Sequence, residues 1–256
     1  MSSVPTHRCE MSLSSQQQHY LQLMGIEVWL EKGIEAVVSQ DSVSLDNAVM
    51  KTTPSDQAQD PVWRTLRNQV ARCTQCALHQ GRTQTVFGVG DVNADWMIIG
   101  EAPGKEEDRQ GEPFVGRAGQ LLNAMLEALG LQRQQVFIAN ILKCRPPDNR
   151  DPRPEEVAAC GTYLQQQIDL IKPKIILALG RVAAQNLLKV DTPIGRMRGQ
   201  QYEYPAPRVP IVVTYHPAYL LRSPREKAKS WQDLQLAMRI YKKVTNDALR
   251  SASNER

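Results

Sequence analysis

DWMIIGEAPGKEEDRQGEPFVGRAG, Asp95–Gly119, is the stretch on which the fold turns. A short apolar run, Trp96–Ile99, stops at Gly100. The loop that follows carries carboxylates at Glu101, Glu106, Glu107 and Asp108, glycines at Gly104, Gly111 and Gly116, and one aromatic, Phe114. An amphipathic pattern then resumes at Leu121, Leu122, Met125, Leu126 and Leu129, the spacing of a helix. Strand, glycine-bearing loop, helix is how an open α/β sheet builds a site at the carboxyl end of a strand. Ordinary connections of this kind take about 2–6 residues. This one is far longer, which marks it as functional.

The same alternation recurs on either side. Trp63–Arg72 predicts a short helix leading into Cys73-Thr-Gln-Cys76. Val136–Leu142, VFIANIL, is a β-rich run carrying Asn140, followed by Cys144 and the proline-rich loop Arg145–Pro154. Glu155–Ile171 is helical by pattern, with Pro154 suited to its first turn. Lys174–Gly180, KIILALG, is a continuous apolar strand, and Arg181–Leu188 a short helix. Val209–Tyr215 is the fourth strand, ending at His216-Pro217-Ala218, and Pro224–Tyr241 supplies a last helix. The expectation is a three-layer α/β/α fold with a four-stranded, mainly parallel central sheet, buried on both faces. Its domain is expected over 61–245, behind an acidic leader and linker at 1–60 and before a polar tail at 246–256.

With 256 residues the chain can bury a sizeable core. No apolar run approaches the roughly 18 residues of a membrane span. The N-terminus is polar and rich in Ser and Gln, unlike a secretory signal, so a cytoplasmic protein is expected. The net charge of +4 conceals a division: residues 1–60 hold three basic against eight acidic side chains, so the remainder carries +9. A basic body behind an acidic leader suits a polyanionic partner. Within the leader, residues 16–34 place Tyr20, Leu23, Met24, Leu30 and Ile34 at roughly helical spacing, which reads as a helix packed on the body, as a poorly ordered leader or, more sharply, as a docking peptide. Ser39–Asp60 is polar, with Pro54 inside it and Pro61 just after it, and reads as a linker.

Cys73 and Cys76 form a Cys-x2-Cys pair, and Cys144 and Cys160 follow after a long gap. Any one could be a free structural cysteine. Four with a tight leading pair, in a reducing compartment, point to a tetrathiolate metal site instead of disulfides. Zinc and a 4Fe–4S cluster both accept four thiolates; a zinc ribbon would normally show a second Cys-x2-Cys.

Gly100-Glu101-Ala102-Pro103-Gly104 and Pro113-Phe114-Val115-Gly116-Arg117-Ala118-Gly119 resemble the first motif of the family 4 uracil-DNA glycosylases. The family's other motifs occur downstream in order, and the resemblance covers about Trp63 to Tyr241. It implies a 4Fe–4S cluster on Cys73, Cys76, Cys144 and Cys160, with Lys143-Cys144-Arg145-Pro146-Pro147 matching the family pattern. It also implies hydrolysis of the bond between uracil and deoxyribose in DNA, which leaves an abasic site.

That chemistry requires a base flipped into a pocket that reads its Watson–Crick edge. Asn140, an odd polar residue in an apolar strand, could be a satisfied core amide. The resemblance makes it the reader of N3–H and O4. Phe114 could be a core plug; the family stacks this residue on uracil. His216 is the one histidine of four at the end of a predicted strand. It could be a turn residue, whereas in the family it donates to uracil O2 as negative charge develops there. Glu101 is the expected catalytic carboxylate, positioning water or orienting the sugar; the related family 1 enzymes place an aspartate where this chain has Ala102. Glu107 could be a solvated loop carboxylate; in the resemblance it matches the residue that faces uracil C5.

His216–Lys229, HPAYLLRSPREKAK, is the expected second DNA-facing segment. Leu220 and Leu221, with Tyr219, would fill the hole left by the base, and Arg222 and Arg225 would contact phosphates. A packed helix start would explain the leucines alone. Arg181, Arg196, Arg198 and Arg208 are further basic positions, explained either as a solvated surface or as added phosphate contacts. In the leader, Leu21-x-x-Met24-Gly25-Ile26-x-x-Trp29 resembles the leading peptide of the psi subunit of bacterial DNA polymerase III, which binds the clamp loader. From a different class, the competing reading is a non-catalytic Fe–S nucleic-acid-binding module associated with the replication machinery.

Overall fold

The computed structural model describes residues 61–254. The expected leader, linker and docking peptide lie outside the described residues. The strands are β1 (Val89–Gly90), β2 (Trp96–Gly100), β3 (Phe137–Asn140), β4 (Ile175–Leu179), β5 (Gln201–Tyr204) and β6 (Val209–Thr214). The helices are α1 (Pro61–Ala71), α2 (Lys105–Gln110), α3 (Arg117–Ala128), α4 (Pro154–Ile171), α5 (Arg181–Leu188), α6 (Ile194–Met197), α7 (Pro217–Arg222) and α8 (Lys227–Asn254). None is long and apolar enough to cross a membrane, among the described residues.

The sheet has six strands in the order β1-β3-β2-β4-β6-β5, not the four expected. The expected four form its parallel centre, with Met97 beside Phe137 and Ile176, and Ile176 beside Ile211. The two additional strands are antiparallel edges. β1 is two residues long, and β5 is a half-exposed QYEY, so neither carries the apolar run that betrays a central strand.

Alternation along the central strands divides the core into two layers. Met97, Ile99, Phe137, Ala139, Ile176 and Ile211 face α1, α4 and α5. Trp96, Ile98, Ile138, Leu177 and Val212 face α3, α7 and α8. This is the three-layer α/β/α arrangement. The loop after β2, expected to be irregular, contains the one-and-a-half-turn helix α2. Its Asp108 is buried and accepts the Thr83 N–H with both carboxylate oxygens, at 3.0 and 3.1 Å.

The connection leaving β2 runs to β3 on one side, while that leaving β4 runs to the edge strand β5, and from it to β6, on the other. The carboxyl ends of β2 and β4 therefore flank the topological switch point, where an open α/β sheet leaves a crevice.

Candidate active site

A cavity of about 440 Å³ opens at that crevice. Glu101 and Gly104 reach it from the loop after β2, Asn140 from the last residue of β3, and His216 and Arg222 from α7 and its start. Phe114 and Glu107 complete it from the long loop. Glu101, Glu107, Phe114, Asn140, His216 and Arg222 are thus brought to one place. A larger cavity of about 740 Å³ lies beside α4 and β5, but Lys189 is the sole charged residue in its lining.

Phe114, Asn140 and His216 make the inner wall. Phe114 is buried and stacks against His216, with ring centroids 5.5 Å apart and planes at 30°. Its φ of 55° is a left-handed conformation that costs a non-glycine residue on the order of 1–3 kcal/mol. Close packing holds it there: a Cβ on Gly119 would meet the Phe114 carbonyl oxygen at 1.8 Å. Glu107 helps, accepting the N–H groups of Val115 at 3.1 Å and Gly116 at 3.4 Å. Arg133, which the sequence did not single out, donates to the Pro113 carbonyl from the far side. Glu107 is therefore engaged in fixing the loop as well as facing the cavity.

Asn140 is 2 % exposed, and its Oδ1 is buried with no hydrogen-bond partner. Such an orphan acceptor costs about 1–3 kcal/mol and is rare in native cores. Gly100 leaves room for it: a Cβ there would lie 2.4 Å from Asn140 Oδ1 and 2.7 Å from Phe114 Cζ. The strand end beneath is fastened by the buried Lys143, whose Nζ donates to the Asn140 carbonyl at 2.9 Å and to Gln167 at 2.7 Å.

His216 caps α7, its Nδ1 accepting the Ala218 N–H at 3.1 Å. An imidazole whose Nδ1 accepts carries its proton on Nε2. Burial, reinforced by the nearby Arg222 charge, pushes its pKa down to about 4, so the ring is neutral at pH 7.

The outer wall is charged. Burial, then the neighbouring Asp151 carboxylate, pushes the Glu101 pKa up to about 7, against the opposing pull of Arg181. Asp151 lines the cavity and pairs with Arg181 at 2.5 Å. The sequence reading missed it, because the 145–153 loop has no periodicity to draw attention to one acid. That loop is pinned by Arg150, which grips the buried Glu156 carboxylate with two hydrogen bonds of 2.9 and 2.5 Å.

The expected DNA-facing segment divides. Leu220 is 1 % exposed and packs in the α3–α8 layer, so it is core and not a wedge. Tyr219 and Leu221 are exposed, each at 37 %. Arg222 faces the cavity, while Arg225 sits in the 3-10 turn Pro224–Glu226, outside its lining. Arg198 is turned inward onto the buried Asp233 at 2.8 Å and so is not a surface phosphate contact.

Cys73 and Cys76 are half-buried, Cys144 and Cys160 buried, and all four are free thiols packed on the α1–α4 layer. Cys144 lies within electrostatic reach of Cys73 and Cys76, and Cys160 within reach of Cys144 and Cys76. Arg82 bridges them, donating to the Cys73 carbonyl at 2.8 Å and to Cys144 Sγ at 3.2 Å. Among the described residues, no three His, Cys, Asp or Glu side chains are grouped tightly enough to hold a metal ion.

Residues 87–235 match the model of the Uracil DNA glycosylase superfamily. The chain is 46% identical over 173 residues to the type-4 uracil-DNA glycosylase of Archaeoglobus fulgidus, covering 65% of this chain and 87% of that protein. It is 46% identical over 166 residues to that of Sulfurisphaera tokodaii, covering 62% and 76%. Against that of Thermotoga maritima it is 41% identical over 183 residues, covering 70% and 94%. The chain belongs to the uracil-DNA glycosylase superfamily and, within it, to the type-4 family.

Proposed function

We propose that this protein is a monofunctional uracil-DNA glycosylase. It flips uracil out of DNA, holds it in the cavity and hydrolyses its N-glycosidic bond, leaving an abasic site. The observation that carries this reading is the unpartnered, buried Oδ1 of Asn140, beside a stacked Phe114–His216 pair in one cavity roomy enough for a base.

Uracil presents N3–H as its one ring donor on the Watson–Crick edge, between O2 and O4. Asn140 Oδ1 accepts from N3–H, and its amide NH2 donates to O4. Cytosine, which has an acceptor at N3, leaves Oδ1 orphaned and is refused. Phe114 supplies a face on which the base stacks. His216 donates Nε2–H to O2, where negative charge gathers as the C1′–N1 bond lengthens. A neutral donor suffices, consistent with a pKa of about 4. Glu101 lies on the side where the sugar must come, and as a carboxylate it stabilises the developing positive charge at C1′ and orients water. Glu107, fixed across the loop, faces C5, where a thymine methyl would be crowded. Leu221 with Tyr219 enters the gap in the stack, while Arg222 and Arg225 neutralise phosphates.

Cys73, Cys76, Cys144 and Cys160 would hold a 4Fe–4S cluster. A cube of iron and sulfur keeps its four thiolates farther apart than a single tetrahedral ion does, so the requirement is four cysteines around one space. Four free thiols on one core layer, with Arg82 to balance thiolate charge, supply that donor set. When bound, the cluster would cross-link the end of α1 to α4 and to the loop after β3.

Incubating the protein with a uracil-containing oligonucleotide, then cleaving abasic sites with alkali, tests the activity. Strand scission at uracil and not at thymine or cytosine is expected. No scission by protein with four sulfur-bound irons would leave DNA binding without catalysis.

A further inference from the structure

The inner wall accounts for how a base is held, but it leaves the charged mouth of the cavity unexplained. Two carboxylates from different elements line it, and an arginine from a third element pairs with one of them. Glu101 follows β2, Asp151 lies in the loop after β3, and Arg181 opens α5 directly after β4. Asp151 and Arg181 are joined at 2.5 Å, yet their side chains remain 68 % and 48 % exposed. An ion pair so open contributes little to stability, about 0–1 kcal/mol. Its placement nevertheless took work. The loop that presents Asp151 is anchored by Arg150, which spends both ends of its guanidinium on Glu156 and donates to the Asp151 carbonyl at 3.0 Å. Arg181 is further oriented by Gln185, at 3.0 Å.

We infer that the Asp151–Arg181 ion pair is a positioning device for Glu101, with Asp151 the second carboxylate and Arg181 the counter-charge of the same reaction site. The inference rests on the glycosylase reading and extends it to two residues that the family motifs above do not include. Glu101 has few other charges to answer to: the remaining ionisable groups lining the cavity are Glu107, Arg150, His216 and Arg222. Glu107 is tied to the Val115 and Gly116 amides, Arg150 to Glu156, and His216 is neutral at working pH. Asp151 disfavours the charged form of Glu101 and Arg181 favours it, so the pair acts on Glu101 from both directions. Arg181 is also exposed enough to meet a DNA phosphate. A phosphate that engages it leaves Asp151 facing Glu101 with its counter-charge shared, so DNA entry and the charge on Glu101 become linked.

The test is the pH dependence of kcat/KM on a uracil-containing oligonucleotide for wild type, Asp151→Asn and Arg181→Gln. Asp151→Asn is isosteric, Arg181→Gln keeps a polar amide on a shorter side chain, and both positions are exposed. The limb set by Glu101 should move to lower pH in Asp151→Asn and to higher pH in Arg181→Gln, by roughly 0.3–0.7 of a pH unit each. Titration of the Glu101 carboxyl carbon by NMR, without DNA, should show the same two opposite shifts. That second readout judges the ion pair even if the protein proves to have no glycosylase activity. Shifts of the same sign, or rates lowered equally at every pH with an unmoved titration, would overturn the inference.

Discussion

The two walls of the cavity are built on opposite principles. Phe114 and Asn140, both buried, and the half-buried His216 form the drier wall, and its cost is visible as a left-handed Phe114 and an orphaned amide oxygen. Glu101, Asp151 and Arg181 form a wet wall of charges whose geometry is looser and whose influence passes partly through solvent. The difference teaches a division of labour. Identity of a flat, neutral base is read by shape and hydrogen bonds that cannot relax, whereas a reaction that develops charge is served by groups whose ionisation can be tuned.

The comparison breaks first at the dry wall. Asn140→Ala should lower kcat/KM about a thousandfold while DNA affinity falls far less, because the lost contacts are to the base alone. Gly100→Ala should approach the same loss without touching a substrate-contacting side chain, since its Cβ would occupy the space of Asn140 Oδ1. Steady-state kinetics beside a DNA-binding isotherm distinguish these outcomes from plain unfolding. His216→Ala should cost about a hundredfold, chiefly in kcat, as one donor to a developing oxyanion.

Between the walls and the core lies α7, where neighbouring leucines separate two effects. Leu220→Ala should destabilise the protein by about 2–3 kcal/mol in denaturant titration, having removed a core side chain. Leu221→Ala should leave stability within about 0.5 kcal/mol and weaken binding to uracil-containing DNA instead.

The smallest effect sharpens the contrast through pH. Glu101 has a folded pKa of about 7 against an ordinary value of 4.5, so the native state holds its proton longer. Its contribution to stability is fully present below pH 4.5 and is lost as pH rises towards 7. His216 is opposite: depressed from 6.5 to about 4, its contribution is present above 6.5 and lost as pH falls towards 4. The two oppose each other between about 4.5 and 6.5 and flatten the wild-type profile. Glu101→Gln should uncover the histidine limb and gain roughly 1–2 kcal/mol over wild type at pH 8 relative to pH 4.5, read from urea midpoints.

How much of this was legible in the sequence follows the same division. Trp96–Gly100, Phe137–Asn140, Ile175–Leu179 and Val209–Thr214 announce themselves as apolar runs because both their faces are buried. The edges Val89–Gly90 and Gln201–Tyr204 are too short or too polar to do so. Asn140 and His216 stood out as polar residues at strand ends, and motif order brought in Phe114 and Glu101. Asp151, Arg133 and Arg82 sit in loops and turns, where one charge looks like any other until its partner is seen. Leu220 was misread because sequence supplies the apolar character of α7 but not which way its first turn faces; the buried side is Leu220 and the exposed side Tyr219 and Leu221.

The central claim, that the unpartnered oxygen of Asn140 accepts from the uracil ring, is tested most directly by a substrate that lacks the donor. Rates should be compared on oligonucleotides carrying uracil or N3-methyluracil, with wild type and with Asn140→Ala. Methylation should cost the wild type about a thousandfold and the variant less than about tenfold, since the variant has neither the acceptor nor the crowding. Equal discrimination by both proteins would mean that Asn140 does not read N3, and the dry wall would lose its purpose.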